Sequence, residues 1–124
     1  MGLIALEYAD VLNAEGEKKL LEFSSDLLEG PYNAASLFVI RVDGASMEPK
    51  INDRALLVAD LSQKTLQDDD LYLVYKDERM WIKVYKQTEE AGSFVSLNPA
   101  FSHLVYGADE VRVVAKALLA FNPL

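Results

Sequence analysis

The chain has 124 residues, 51% of them hydrophobic, and no cysteine, so it can bury the core of one ordinary domain but can build neither a disulfide framework nor a thiolate metal site. Its 20 acidic and 12 basic residues give a net charge of −8, which opposes phosphate backbones and argues against nucleic-acid binding by this segment itself. No apolar run approaches the roughly 18–20 residues of a membrane helix, and the N-terminus lacks the basic and apolar regions of a signal peptide, so a cytoplasmic protein without membrane attachment is expected.

Residues 1–35 differ in character from the rest. An apolar stretch at 3–12 is followed by a mixture of charge with Leu20, Leu21, Phe23, Leu27 and Leu28, a pattern that suits a short helix or a clinging arm equally. Gly30 and Pro31 then break any continuing element, so the division expected is an N-terminal arm over 1–35 and a compact domain over 36–124. Residues 37–42 are β-branched and aromatic and stop at Asp43-Gly44, a turn dipeptide that brings Ser46 out at a strand end. Further strands are predicted at 55–59 and 71–75, separated by a polar connection. Lys76-Asp77-Glu78-Arg79 makes a tight turn into a strand at 80–86, which reads as a hairpin. Ala91-Gly92 marks another hairpin turn, and runs at 93–97 and 111–115 complete about six short strands. The fold class expected is mainly β, a small folded sheet or barrel-like domain.

The chemistry-bearing constellation is Gly44-Ala45-Ser46-Met47-Glu48-Pro49 together with Lys83 in the apolar run Met80-Trp81-Ile82-Lys83-Val84-Tyr85. An unassisted hydroxyl is a poor nucleophile and needs a base. The single histidine, His103, lies in a Pro-containing loop with no carboxylate beside it and is expected at the surface. A lysine replaces histidine only if desolvation lowers its pKa from about 10.4. Strand alternation sets Trp81, Lys83 and Tyr85 on one face and Met80, Ile82 and Val84 on the other, so Lys83 has apolar surroundings on both sides. Alone, Ser46 reads as a turn residue and Lys83 as an edge charge. Together, in this order, they read as a nucleophile and its base.

The segment Val42-Asp43-Gly44-Ala45-Ser46-Met47-Glu48-Pro49-Lys50-Ile51 resembles the nucleophile motif of LexA-like self-cleaving repressors and UmuD-like proteins. Leu56-Leu57-Val58-Ala59-Asp60 is similar to the strand after that motif, Ile82-Lys83-Val84-Tyr85 to the strand bearing the base, and Ser96-Leu97-Asn98-Pro99-Ala100-Phe101 to the family's Ser-x-Asn-Pro-x-aromatic segment. The resemblance implies that Ser46 attacks a peptide bond of its own polypeptide, that Lys83 acts as general base and then protonates the leaving amine, and that the backbone N–H groups of Ser46 and Met47 hold the oxyanion. It implies no cofactor and no metal. As partners it implies a second copy in a homodimer, built from the late strands and residues 117–121, and a RecA-type filament as inducer in DNA-damage (SOS) control. Operator DNA would be bound only through a separate N-terminal helix-turn-helix domain outside these residues.

Three departures stand out: Ala45 where the family often has Asp, Asp53-Arg54-Ala55 where it has Asp-Gly-Asp, so that the turn must be rebuilt without its glycine, and Val84 where Arg commonly follows the lysine. The family cuts between a small residue and Gly upstream of the nucleophile. No Ala-Gly or Cys-Gly pair precedes Ser46, and the nearest candidate is the Glu15–Gly16 bond. Another expectation is that Met1-Gly2 starts within a longer protein, so that the scissile bond and the DNA-binding domain both lie upstream. The alternative function is a non-catalytic or post-cleavage dimerisation module, such as a UmuD-like accessory subunit of a translesion polymerase. A signal-peptidase relative shares the Ser-Met motif and lysine base, but those enzymes carry a membrane anchor and an exposed apolar platform.

Overall fold

A computed structural model describes residues 2–9 and 18–124. In it the chain is mainly β, as its β-branched and aromatic runs predict. Nine strands are formed among the described residues: β1 (Leu3–Ala9), β2 (Lys18–Ser24), β3 (Leu37–Arg41), β4 (Leu56–Asp60), β5 (Leu71–Lys76), β6 (Arg79–Gln87), β7 (Gly92–Val95), β8 (Tyr106–Gly107) and β9 (Arg112–Phe121). β1 and β2 pair as an antiparallel hairpin, and the other seven make one antiparallel sheet in the order β3-β4-β9-β5-β6-β7-β8. β3 and β8 are its two edges, so the sheet is folded but not closed into a barrel. Every helical piece among the described residues is a three-residue 3-10 turn.

The 1–35 segment, suited on sequence to a helix or an arm, is a strand hairpin through its described part. Its inward residues Ile4, Leu6, Tyr8 and Leu21 pack around buried Phe23, Leu28, Leu37, Val39 and Val58. Phe23 meets Phe121 of β9 with ring centroids 6.0 Å apart, and burying a ring of that size contributes about 2–3 kcal/mol. The opposite sheet face carries the main core, including Val42, Met47, Ile51, Leu57, Leu73, Ile82 and Val84. Leu57 and Val58 therefore serve different cores from adjacent positions, as the period of two requires.

β9 holds the sheet together. Its first half pairs β5 and its second half pairs β4, with register shifts opposite Leu73/Val74 and Val58/Ala59 that leave Val114 and Leu118 as the extra residues. Each bulge bends the strand, which lets ten residues turn from one partner to the other. On the far side β5 and β6 form the hairpin read from the sequence, with Lys76 opposite Arg79 and both Asp77 (φ 53) and Glu78 (φ 63) left-handed. Residues 88–91 turn β6 into β7, with Thr88 N–H donating to Ala91 O at 3.0 Å.

Candidate active site

The Ser46 loop is built by extending the β3–β4 pairing past the end of β3. Val42 N–H donates to Ala55 O and Arg54 N–H to Val42 O, both at 2.8 Å, which closes residues 43–53 into a single excursion. Gly44 sits at φ +120, a region closed to other residues, although a Cβ there would meet nothing within 4 Å. The need for glycine is therefore conformational and not steric. Its N–H donates to Asp53 Oδ1 at 2.8 Å, which anchors the turn before the serine. Behind Ser46, Met47 (1% exposed) and Ile51 (4%) sink into the core, joined by Ile51 N–H donating to Met47 O at 3.0 Å. Ser46 itself is half-buried on the wall of a cavity of about 380 Å³, whose other walls include Ile40, Arg41, Met80, Trp81 and Phe101. Among the described residues neither the Ser46 nor the Met47 N–H donates to a backbone acceptor.

The turn after Asp53 was expected to need rebuilding without a glycine. It keeps a glycine-like shape instead, with Arg54 at φ 72, held by its own N–H to Val42 and by Arg41 Nη1 donating to its carbonyl at 2.8 Å. Ala45 contributes its carbonyl to the site, so the missing Asp side chain leaves that contact intact.

Lys83 lies mid-strand in β6, opposite Tyr72 of β5, between Ile82 (7% exposed) and Val84 (3%), and is itself 0% exposed. Its amine donates to Ser96 Oγ. Burial lowers its pKa from 10.5 to about 8, because an ammonium here gives up most of its hydration. Val84 points into the main core, which accounts for an apolar residue where an Arg is common.

Ser46 and Lys83 are not hydrogen-bonded to each other among the described residues. They are joined through a third segment, the short stretch after β7. Ser96 receives the Lys83 amine, and two residues on Asn98 donates its N–H to Ser46 O and its Nδ2 to Ala45 O, both at 2.9 Å. The remaining Asn98 atom, Oδ1, accepts Ala100 N–H at 3.0 Å and caps the turn Pro99–Phe101. The Ser-x-Asn-Pro segment was legible as a motif, but nothing in the sequence said that it would tie the serine turn to the lysine. His103 is exposed, its ring stacked on Phe101 at 6.5 Å. The candidate cleavage residues Glu15 and Gly16 lie outside the described residues. Among the described residues no cluster of three or more His, Asp or Glu could hold a metal, and no helix is long and apolar enough to cross a membrane.

The folded antiparallel sheet thus carries Ser46 on a glycine turn and a buried Lys83, both fastened to the stretch Ser96–Asn98. The Peptidase S24-like family model matches residues 5–118, and the chain belongs to that family. It is also 35% identical over 101 residues to an uncharacterized HTH-type transcriptional regulator from Haemophilus influenzae, a match covering 77% of this chain and 42% of the relative. The chain thus spans less than half the length of that regulator.

Proposed function

We propose that these residues are the C-terminal domain of a LexA-like or phage-type transcriptional repressor, which dimerises and cuts its own polypeptide when induced. The observation that carries this reading is the bridge at Ser96–Asn98, which fastens the serine turn and the buried amine to one short segment. In the proposed reaction the neutral Lys83 amine takes the proton from Ser46 Oγ as the oxygen bonds to the scissile carbonyl carbon. The backbone N–H groups of Ser46 and Met47 stabilise the resulting oxyanion. As the C–N bond breaks, the Lys83 ammonium returns the proton to the leaving amine, and water then hydrolyses the ester on Ser46. The Glu15–Gly16 peptide is the proposed scissile bond. A RecA-type filament is the proposed inducer in SOS control, and operator DNA is reached through a separate helix-turn-helix region of the kind that names the Haemophilus relative.

The second reading is a non-catalytic or post-cleavage dimerisation module, such as a UmuD-like polymerase accessory subunit. One observation favours it: the Lys83 amine donates to Ser96 and not to Ser46. Intact-mass measurement of the full-length product before and after alkaline incubation separates the two. Self-cleavage predicts two fragments from the parent protein and none from Ser46→Ala, Lys83→Ala or Lys83→Arg, since a guanidinium does not deprotonate in a protein. Fragments from any of these variants would refute the Ser46–Lys83 mechanism, and a parent chain that stays whole with its inducer present would leave the dimerisation module as the function.

A further inference from the structure

We propose that Trp81 and Tyr106 are positioning residues for Lys83: they form an aromatic wall that, together with Ser96, fixes the amine and keeps water from it. The inference deepens the peptidase reading and rests on it for its kinetic half only. Trp81 lies two residues before Lys83 on the same face of β6, and the Lys83 Nζ stands 5.0 Å from the indole and 5.8 Å from the Tyr106 ring. The two rings meet edge to face at 6.0 Å and 65°, so each holds the other. Trp81 also lines the cavity that Ser46 lines, and Lys83 is 0% exposed. The indole thus adjoins both the cavity of the proposed nucleophile and the amine of its proposed base. It is itself pinned by Nε1–H donating to Lys76 O at 3.4 Å and by the Arg79 guanidinium at 4.7 Å.

The charged and titratable groups around this wall are Tyr72 and Lys76 from β5, Arg79 and Tyr85 from β6, and Tyr106 from β8. Glu110 reaches the cluster through Lys76, at 3.9 Å. No carboxylate touches the amine among the described residues, so the rings and Ser96 are what it rests on. Two effects of the rings oppose each other. Their π faces favour the ammonium, while their bulk keeps water from it and favours the neutral amine. For a fully buried lysine the second effect is the larger, so opening the wall should make the amine harder to deprotonate.

The chain has a single tryptophan, so its emission reports on the wall directly, with no need for cleavage. In Ser46→Ala protein, which cannot cut itself during the measurement, fluorescence against pH should show a step that Lys83→Met removes. His103 is present in both proteins and cancels. Tyr106→Leu should move the step upward by about one pH unit, as expected for partial rehydration of a buried amine, while Tyr106→Phe leaves it in place. In the cleaving protein, Trp81→Leu should move the pH–rate profile the same way and Trp81→Phe should restore it. If Tyr106→Leu fails to fold by circular dichroism, the Trp81 pair carries the test. A fluorescence step that survives Lys83→Met overturns the proposal, as does a folded wall variant with an unmoved profile. A Lys83-dependent, Tyr106-sensitive step in a protein that never cleaves upholds the wall and removes the peptidase reading.

Discussion

Lys83 is held at the cost of stability. With its pKa lowered from 10.5 to about 8 at 0% exposure, the buried amine costs about 3 kcal/mol while it must be charged. The sign follows from which state binds the proton. Below about 8 the group is charged folded and unfolded alike and the full cost is present; between 8 and 10.5 only the unfolded chain is protonated, so stability rises; above 10.5 the cost is gone. Lys83→Met should therefore unfold at higher denaturant concentration than the parent at pH 7, with an advantage that shrinks as the pH approaches 10. A variant less stable than the parent at pH 7 would show that the contact with Ser96 outweighs desolvation. The same titration shapes the proposed reaction. Cleavage should accelerate about tenfold per pH unit below about 8 and level off above it. That Lys83 would be desolvated was legible, because apolar residues flank it on both faces of one strand. Ser96 was not legible as its partner: a serine at a strand end carries no mark of what donates to it, and its place opposite Lys83 comes from the pairing of β7 with β6.

The strands most readily read in advance, β3 to β7, are runs of β-branched and aromatic residues that end at Gly, Asp or a charged turn. The hairpin of β1 and β2 was hidden because its outward face is not polar. Leu3 is 75% exposed and Leu20 53%, so the alternation that announces a half-buried strand is blurred. The turns hold strain that the composition does not advertise. Arg54 (φ 72) and Glu78 (φ 63) occupy positions where glycine is at ease, and Arg54→Gly or Glu78→Gly should each stabilise the protein by about 1 kcal/mol, read as a higher melting temperature. The reverse holds at Gly92. A Cβ there would fall 2.0 Å from the Tyr85 hydroxyl, and that ring cannot yield, being 6% exposed and packed on Phe94 at 5.3 Å. Gly92→Ala should lose about 1–3 kcal/mol in chemical denaturation. An unchanged midpoint would mean that β7 shifts along β6 to make room.

At the scale of the whole molecule, β9 continues past its pairing with β5, which ends at Lys116 opposite Tyr72, so among the described residues its last residues pair with β4 on one side only. That half-free edge, with half-buried Leu118 and Leu119, suits the proposed dimer, and sedimentation at micromolar concentration should show twice the monomer mass. A single species at 13.8 kDa would refute it. The hairpin of β1 and β2 joins the sheet through residues 31–36, and that junction converges on one carboxylate. Asp60 is 0% exposed; it accepts from Asn33 N–H at 2.9 Å, from Ser62 N–H and Oγ at 2.9 and 2.7 Å, and from Gln63 Nε2 at 2.9 Å, while the same Gln63 nitrogen donates to Pro31 O at 2.7 Å. Burial alone would raise its pKa, but the donors from Gln63, Asn33 and Ser62 more than offset that and bring it from 3.8 to about 2. Its contribution is complete above 3.8 and disappears as the pH falls toward 2. Acid thus acts on this protein as a key to one clasp: amide protection factors across the N-terminal hairpin should fall on descending through pH 3, ahead of those in the strands that carry Ser46 and Lys83.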